Sequence, residues 1–450
     1  MIRNLLPSSL AAAIALACGS GALCAPIAAP TLTGWAVLPA ATFSDGPTSG
    51  QFAAPNPYGT DLPPYPNKQP VQGFSAVLPG PGADTFRFIT DNGFGARGNS
   101  ADALLRIYTL SIDFRTRSGG TGTVSPADWT SGHALSAFSA ATRITLNDAN
   151  HQLGIPIQAD YANYYNVAAN PPVDAAIRSN RLLTGADLDV ESVRRDHKGN
   201  YWFGDEFGPY LIKTDASGTV LRGVIPLPGV HAPENRDVAS GAAIANLPSS
   251  GGFEGMAMNR SGTRLYTLLE KTVGGDPAKT LRINEFDIAS EAYTGVSYVY
   301  PLAADGTAIG DMTSVDDHRF IVIERNGGTA TNGTKPFKKL YLIDIGAVAD
   351  GGVVAKTELV DLMAIADPDD LNADGRSSFS MPYVTIENLL MLNDRTLLVV
   401  NDNNFPYGGG RDLASDNTEF LRITLPEPLG TSASRGDPKA HDLPSQPKIH

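Results

Sequence analysis

Residues 189–211, DVESVRRDHKGNYWFGDEFGPYL, carry the pattern that decides the fold. An acidic residue, Glu191, opens a short apolar run, a polar turn containing Gly199 follows, and a second apolar run ends in Asp205 and Glu206. Short runs of β-branched and aromatic residues, separated by turns of this composition, are typical of β-hairpins. The stretch therefore predicts two antiparallel strands whose neighbouring ends carry carboxylates.

The same hairpin pattern recurs along the chain. The other copies run from a first polar anchor to a second polar pair: Glu254 to Glu270-Lys271, Asp311 to Glu324-Arg325, Glu387 to Asn401-Asp402 and, more weakly, Phe74-Ser75 to Asp91-Asn92. The anchors of one copy lie about 15 residues apart, and successive strong copies follow at roughly 60 to 75 residues. An interval of this length is typical of one four-stranded propeller blade. We therefore expect an all-β fold, a single β-propeller of five or six blades with an elaborated loop insertion at residues 118–174.

Other short apolar runs also predict strands, and helical periodicity is scarce. The predicted strands include residues 86–90, 201–204, 265–269, 320–323, 340–343 and 397–400. Single helical turns are the most that residues 174–177 and 345–348 indicate.

The ends of the chain differ from its middle. A positive Arg3, a short apolar run and small residues before Pro26 predict a signal peptide at residues 1–25, and hence a periplasmic or secreted protein. Lipid attachment at Cys18 is a less favoured alternative. We expect an N-terminal extension at 26–72, the propeller at 73–425 and a disordered tail at 426–450. No run of 18 apolar residues predicts a membrane-spanning segment.

Composition excludes several classes of function. Both cysteines, Cys18 and Cys24, fall in the predicted signal segment, so thiolate nucleophiles and cysteine–metal centres are not expected within the fold. The formal net charge of −13 argues against nucleic acid as a partner. The mature chain contains no G-x-S-x-G, Walker A or H-E-x-x-H motif. The sequence favours a small-molecule substrate and leaves the oligomeric state open.

The repeated carboxylates predict a cation site. Equivalent ends of inner propeller strands converge on one axis, and several carboxylates held together there require a counter-ion. Calcium fits best, because it takes 6–8 oxygen ligands. The predicted metal ligands are Asp91, Glu191, Glu254, Asp311, Glu387 and Asp402. Among the second anchors, Lys271, Arg325 and Asn401 are predicted to bind substrate while the metal polarises its phosphoryl or carbonyl oxygen.

Three further features stand outside the repeat. Asp370, Asn372 and Asp374 alternate before Gly375 and predict a second calcium loop, with a polar Asx-turn as the alternative. Residues 93–98, GFGARG, match a dinucleotide-binding pattern, but the strand-like segment after them favours a glycine-rich turn. Three tyrosines cluster within the insertion, at 161, 164 and 165, and a basic cluster of Lys335, Lys338 and Lys339 is predicted on a hairpin turn.

The motif at residues 189–211 resembles the central motif of the phytase-like family known as "esterase-like activity of phytase". Residues 252–256, 324–326 and 385–404 are similar to later motifs of that family, and the resemblance covers about residues 74–425. It implies an exported propeller that hydrolyses phosphoesters or esters with calcium as cofactor. It also implies that the following carboxylates face the catalytic site: Glu191, Asp205, Glu206, Glu254 and Glu387.

Two other functions remain open from the sequence. One is a non-catalytic binding propeller in which calcium only stabilises the fold, and the other is a lactonase-type propeller enzyme. A fold alone does not choose among these functions.

Overall fold

The computed structural model describes residues 29–71 and 73–430. The predicted signal peptide, Cys18 and residues 431–450 of the predicted tail lie outside the described residues.

Short strands dominate the described part of the chain, as the short apolar runs predict. In chain order the strands are β1 (Thr31–Leu38), β2 (Phe43–Asp45), β3 (Lys68–Pro70), β4 (Phe74–Pro79), β5 (Thr85–Thr90), β6 (Arg106–Asp113), β7 (Thr123–Pro126), β8 (Arg143–Thr145), β9 (Val190–Arg195), β10 (Tyr201–Asp205), β11 (Tyr210–Thr214), β12 (Ile225–Pro226), β13 (Gly255–Met258), β14 (Arg264–Leu268), β15 (Thr280–Asp287), β16 (Ala292–Pro301), β17 (Ala308–Ser314), β18 (Arg319–Arg325), β19 (Lys338–Asp344), β20 (Lys356–Asp361), β21 (Ile365–Ala366), β22 (Ser378–Phe379), β23 (Ile386–Met391), β24 (Thr396–Asn401) and β25 (Thr418–Thr424). Short helices α1 (Ala175–Asn180) and α2 (Arg236–Ala239) lie in connections. Each strand predicted above is confirmed to within two residues at either end.

The strands pair as antiparallel meanders. Strands β9–β12, β13–β16 and β17–β20 each form a four-stranded sheet in sequence order. The remaining long strands form a larger sheet in the order β23-β24-β25-β1-β7-β6-β5-β4. Within it a parallel pairing of β1 with β7, at Val37 and Thr123, joins two groups of four strands.

The first strands of these groups face a common axis. Strand β4 contacts β9, β9 contacts β13, β13 contacts β17, β17 contacts β23, and β23 contacts β4 again. Hydrophobic clusters fill the spaces between neighbouring sheets; Val193 and Phe203, for example, pack with Ile89 and Leu105. The all-β, propeller-type fold is thus confirmed. Burial of such side chains, at about 1.5–3 kcal/mol each, holds neighbouring sheets together.

The N-terminal boundary differs from the prediction. Strand β1 lies inside the predicted extension at 26–72, yet it pairs along its length with β25. Its side chains alternate between buried and exposed, and Leu32, Ala36 and Leu38 enter the core. Strand β1 pairs with a strand from the other end of the chain and not with a neighbour in the sequence. The hairpin pattern, which relates neighbouring strands, therefore could not predict its position.

The insertion at residues 118–174 packs on the propeller. Leu146, Leu153, Ile157 and Tyr164 are buried in the cluster that also contains Val193 and Phe203. Its short 3-10 turns include Gln158–Asp160 and Tyr164–Asn166. Among the described residues, no helix combines the length and apolar character needed to cross a lipid bilayer.

Candidate functional site

Antiparallel pairing brings the two anchors of each copy to the same end of their hairpin. Val190 pairs with Asp205, and Ile386 pairs with Asn401. The first residues of an inner strand therefore lie beside the last residues of the second strand. Because the inner strands contact one another around one axis, these ends form one polar cluster.

A β-bulge near the start of the inner strands sets which residue faces this cluster. The register skips Ser75, Glu191, Gly310 and Glu387, each of which lies between two paired residues. Glu254 directly precedes its strand, β13. In the fourth copy the skipped position is therefore a glycine, and Asp311 is one residue further along.

Asp311 does not join the cluster, so its predicted place in the ring of metal ligands is corrected. Its Oδ1 lies 3.2 Å from Nη2 of Arg194, and its Oδ2 accepts a hydrogen bond of 3.0 Å from the Leu389 backbone. A shift of one residue turns a strand side chain to the opposite face, which explains the difference. Ser192 and Asn388, which also follow a bulge, bond to the backbone of neighbouring sheets as donors, to the carbonyls of Phe253 and Phe74.

Asp91, Asp189 and Glu191 form the part of the cluster suited to a cation. One carboxylate oxygen from each lies within 4.8 Å of the others. Asp189 and Glu191 are buried, and Oδ1 of Asp189 has no hydrogen-bond partner. A buried carboxylate oxygen without a donor is costly unless a ligand satisfies it. Asp189 was not among the predicted ligands, although it is an acidic residue only two positions before Glu191 in the motif at residues 189–211.

A buried arginine compensates the charge in the other part of the cluster. Nη2 of Arg325 lies 3.2 Å from Glu254, 3.0 Å from Glu270 and 3.5 Å from Glu387. Nζ of Lys271 lies 2.5 Å from Oε2 of Glu270. Arg325 therefore pairs with carboxylates of its own chain, and its predicted contact with substrate stays a prediction.

The second anchors serve different purposes. Asp205 accepts hydrogen bonds from the backbone N–H groups of Asp189 and Gly208, at 2.8 and 2.9 Å, and so fixes the backbone of the cation group. Glu206 is buried, and its Oε1 has no partner. The amide of Asn401 bonds to backbone groups at both its atoms, which leaves little of it for a substrate.

Asp402 lies in the same cluster and is held by Thr385 and the backbone of Asn404, at 3.1 and 2.8 Å. Lys338 belongs to β19 and is fully buried, whereas the sequence predicted a hairpin turn. Its ammonium nitrogen donates to the carbonyls of Asn326 and Val384.

Burial and mutual repulsion raise the pKa values of the clustered carboxyl groups. Burial, followed by repulsion from Asp91, raises the pKa of Asp189 and of Glu191 well above the usual range. Burial raises the pKa of Asp205 to about 7, and burial with repulsion from Glu270 raises that of Glu254 to about 8. Such shifts mean that the ionised cluster needs a counter-ion.

The opposite effect holds for the arginine. Burial disfavours its charge, but Glu270, Glu254 and Glu387 together raise the pKa of Arg325 above its usual value. The part of the cluster around Glu254, Glu270 and Glu387 thus contains a cation of the chain itself, Arg325. Among the residues that the structure describes, the part around Asp91, Asp189 and Glu191 contains none.

The predicted second calcium loop is built as a polar turn. Asp370 accepts from the Gly375 backbone, Asp374 accepts from the Arg376 backbone, and Asn372 donates to Asp374 at 3.1 Å. The loop side chains therefore bond within the loop, as an Asx-turn requires. Calcium binding there stays a prediction.

Three individual proteins show partial or distant similarity to this chain. A protein of Arthroderma benhamiae named "Uncharacterized secreted protein" is 30% identical over 141 residues, which cover 26% of this chain and 27% of that protein. The α-L-arabinofuranosidase of Podospora anserina has a TM-score of 0.37 at 9% identity, with 89% of this chain and 99% of that chain covered. The periplasmic gluconolactonase of Pseudomonas aeruginosa has a TM-score of 0.35 at 11% identity, with coverage of 87% and 99%. None of these likenesses bears on the substrate of this chain.

A family comparison covers most of the described residues. The sequence model of the family described as "Phytase-like: Esterase-like activity of phytase" matches residues 69–405. This range contains the cation group, the arginine-bridged glutamates and the bulges that position them. The chain therefore belongs to the phytase-like, esterase-like activity of phytase family.

Proposed function

We propose that the chain is an exported hydrolase of phosphoesters or esters that works with a calcium ion held by Asp91, Asp189 and Glu191. The observation that carries the proposal is the unpartnered Oδ1 of Asp189, buried beside two further carboxylates whose oxygens lie within 4.8 Å. Membership of the phytase-like family supports a small-molecule substrate with an ester bond.

The donor set fits calcium better than a transition metal. All three side chains offer carboxylate oxygens, the ligands that hard cations prefer, and the group contains no imidazole or thiolate. Glu387 and Asp402 lie close enough to Asp91 or Glu191 to raise pKa values in the group, so they are further candidate ligands. A bound calcium ion would supply charge that polarises a phosphoryl or carbonyl oxygen.

The chain's own residues would hold the site in place and give a proton to the leaving oxygen of the substrate. Asp205 holds the backbone of Asp189 in place through its hydrogen bond of 2.8 Å. Glu206 presents a buried oxygen without a partner, and burial with repulsion from Glu270 raises its pKa well above the usual range. A carboxyl group that holds its proton near neutral pH is suited to give it to a leaving oxygen. Arg325 would hold the side chains of Glu254 and Glu387 in position.

The finer points of architecture and location form part of the proposal. The cyclic contacts of β4, β9, β13, β17 and β23 support five blades, with β1 completing the last one. The signal-like N-terminal sequence supports export to the periplasm or the medium.

The test is turnover of a substrate panel with and without calcium. Phosphate monoesters, phosphate diesters, carboxylic esters and lactones would be assayed with the wild type and with Glu191→Gln, Asp189→Asn and Glu206→Gln. Asp374→Asn, in the exposed loop outside the cluster, is the matched control. We expect calcium-dependent hydrolysis that the first three variants reduce at least a hundredfold, as loss of a principal charge or proton donor does, and that the control retains.

Other outcomes would decide against the proposal. Calcium-dependent stabilisation without turnover of any substrate would favour the non-catalytic binding propeller. Turnover of lactones alone would favour the lactonase-type enzyme. Activity that survives both chelation and the Asp189→Asn substitution would show that a metal takes no part in the reaction.

A further inference from the structure

A cavity of about 420 Å³ is lined in part by residues that lie within a few positions of cluster residues in the chain. Three of its lining residues follow or precede cluster residues closely in the chain: Asp187, Phe207 and Arg97, which lies in the loop after Asp91. The other walls come from the insertion, with Tyr161 and Tyr165, and from the α2 region, with Glu234 and Arg236. Volumes of this size are typical of small-molecule sites.

Arg97 brings a cation to this cavity. Its guanidinium lies 5.4 Å from the centre of the Phe207 ring, and its Nε donates to the Ala186 carbonyl at 3.0 Å. Among the described residues, its two Nη atoms have no hydrogen-bond or ion-pair partner. A guanidinium held by its Nε while its outer N–H groups stay free is well placed for bidentate contact with a phosphate or carboxylate.

Tyr165 is held against Arg97 at the cost of backbone strain. Its hydroxyl donates to the Arg97 carbonyl at 2.6 Å, and its ring meets Phe52 edge-to-face at 5.4 Å. The backbone of Tyr165 has a φ of 56°, a left-handed conformation that is uncommon for an aromatic residue. Its N–H is satisfied by Gln158 at 2.8 Å. Strain that the surroundings maintain in this way is concentrated at functional sites.

We propose that this cavity is the subsite for the organic part of the substrate, and that this part is an aromatic ring carrying negative charge. The proposal rests on the hydrolase function above, whose cation group includes Asp189, two residues after Asp187 in the cavity wall. Tyr161 and Tyr165 offer ring faces for stacking, and Arg97 offers the free donors for the anionic group. Glu234 also lines the cavity, and its Oε2, which is buried without a partner, can accept a hydroxyl or amine proton of the ligand.

Binding of two phosphonates, which the enzyme cannot hydrolyse as esters, tests the cavity apart from turnover. Titration calorimetry on the full mature chain with calcium would compare phenylphosphonate with methylphosphonate. We expect the wild type to bind phenylphosphonate about tenfold more tightly, because stacking on aromatic side chains contributes on the order of one tenfold step in affinity. Equal binding of the two probes, or no binding of phenylphosphonate, would overturn the proposal.

Single substitutions test the stacking contact of Tyr161 separately from the charge contact of Arg97. Tyr161→Leu should weaken phenylphosphonate several-fold and leave methylphosphonate unchanged, since only the ring face is lost. A third phosphonate, 4-carboxyphenylphosphonate, adds an anionic group to the ring. Arg97→Gln should weaken its binding about tenfold through loss of charge-assisted bonds and leave phenylphosphonate nearly unchanged. Arg117→Gln, at an exposed arginine outside the cavity, is the control and should change none of these affinities.

These outcomes separate the subsite from the proposed reaction. If no ester is hydrolysed but phenylphosphonate binding depends on Tyr161 and 4-carboxyphenylphosphonate binding depends on Arg97, the hydrolase function fails and the subsite stands. If esters are hydrolysed with calcium but Tyr161→Leu binds phenylphosphonate like the wild type, and Arg97→Gln binds 4-carboxyphenylphosphonate like the wild type, the subsite fails. The side chain of Tyr161 makes no hydrogen bond within the described structure, so its variant tests the cavity even if Arg97→Gln loosens the loop.

Discussion

Arg194 and Asp311 form an ion pair of 3.2 Å between β9 and β17, inner strands that are separated by β13 in the ring. Both side chains are buried, and Arg194 also donates to the Met312 carbonyl at 2.6 Å. Asp311 accepts from Leu389 on β23 as well. The pair thus ties three inner strands together.

Replacing Asp311 with alanine should destabilise the protein without changing calcium affinity. Loss of one partner leaves Arg194 charged and buried, which costs about 3–5 kcal/mol in the free energy of unfolding. Urea unfolding would measure this cost, and calcium titration would measure the affinity. The paired variant Arg194→Met with Asp311→Leu should recover much of the stability, since apolar replacement of a buried pair is often tolerated. If Asp311→Ala lost calcium binding while its stability was unchanged, Asp311 would be a ligand of the cation site after all.

The difference between Asp311 and its counterparts shows what the sequence could predict. Strand types, the hairpin repeat and the end of the sheet at which the anchors lie all follow from local patterns. The bulge depends on how an inner strand meets its neighbours, and it places Gly310 where the other copies have Glu191 or Glu387. Spacing between anchors varies by a few residues, and a shift of one residue is enough to change the face.

Contacts between segments that lie far apart in the chain could not be predicted from the sequence either. The arginine that bridges Glu254, Glu270 and Glu387 belongs to a different hairpin from each of them. The charge of Arg325 suggested a substrate anion, because sequence alone shows which residues are charged and not which of them meet. The cavity beside Arg97 likewise joins a loop, an insertion and a strand end that lie far apart in the chain.

Calcium should stabilise the wild type, and Asp189→Asn should abolish that effect. A ligand that binds only the folded state at a hundred times its dissociation constant adds about 2.7 kcal/mol to stability. In the presence of chelator the same variant should be more stable than the wild type, because it removes one of three repelling carboxylates. Thermal unfolding with calcium and with chelator measures both effects. A calcium-induced rise in Tm that persists in Asp189→Asn, or that disappears in Asp374→Asn, would contradict the assignment of the group.

Deletion of β1 should prevent stable folding of the chain. Without residues 29–41, strand β25 loses its partner on one side, and the sites of Leu32 and Ala36 in the core become empty. Truncation of large core side chains costs about 2–5 kcal/mol each, and an entire strand exceeds the usual stability of a domain. Circular dichroism and thermal unfolding of the secreted product would measure the loss. A deletion that ends before Thr31 is the control and should unfold like the wild type.

The stability of the protein should depend on pH through Lys338. Burial, with a contribution from Arg325, lowers the pKa of Lys338 to about 7. A neutral amine has two N–H groups, which match the two carbonyl acceptors at Asn326 and Val384. Because the folded pKa lies below the unfolded value of about 10.4, the unfolded chain binds the extra proton between these pH values, and stability rises with pH across this window. The contribution is fully present above the unfolded pKa and is lost as pH falls through about 7.

Lys338→Met isolates this effect. The variant leaves two carbonyls without a donor, so it should be less stable than the wild type at high pH. Its deficit should shrink as pH falls from 10 to 7, since the wild type alone loses stability over that range. Urea unfolding at each pH unit gives the difference, and Lys335→Met, at an exposed lysine before the same strand, should follow the wild type. A deficit that stays constant from pH 7 to pH 10 would mean that Lys338 has the same pKa in the folded and unfolded chain, and that its ammonium is charged within the core.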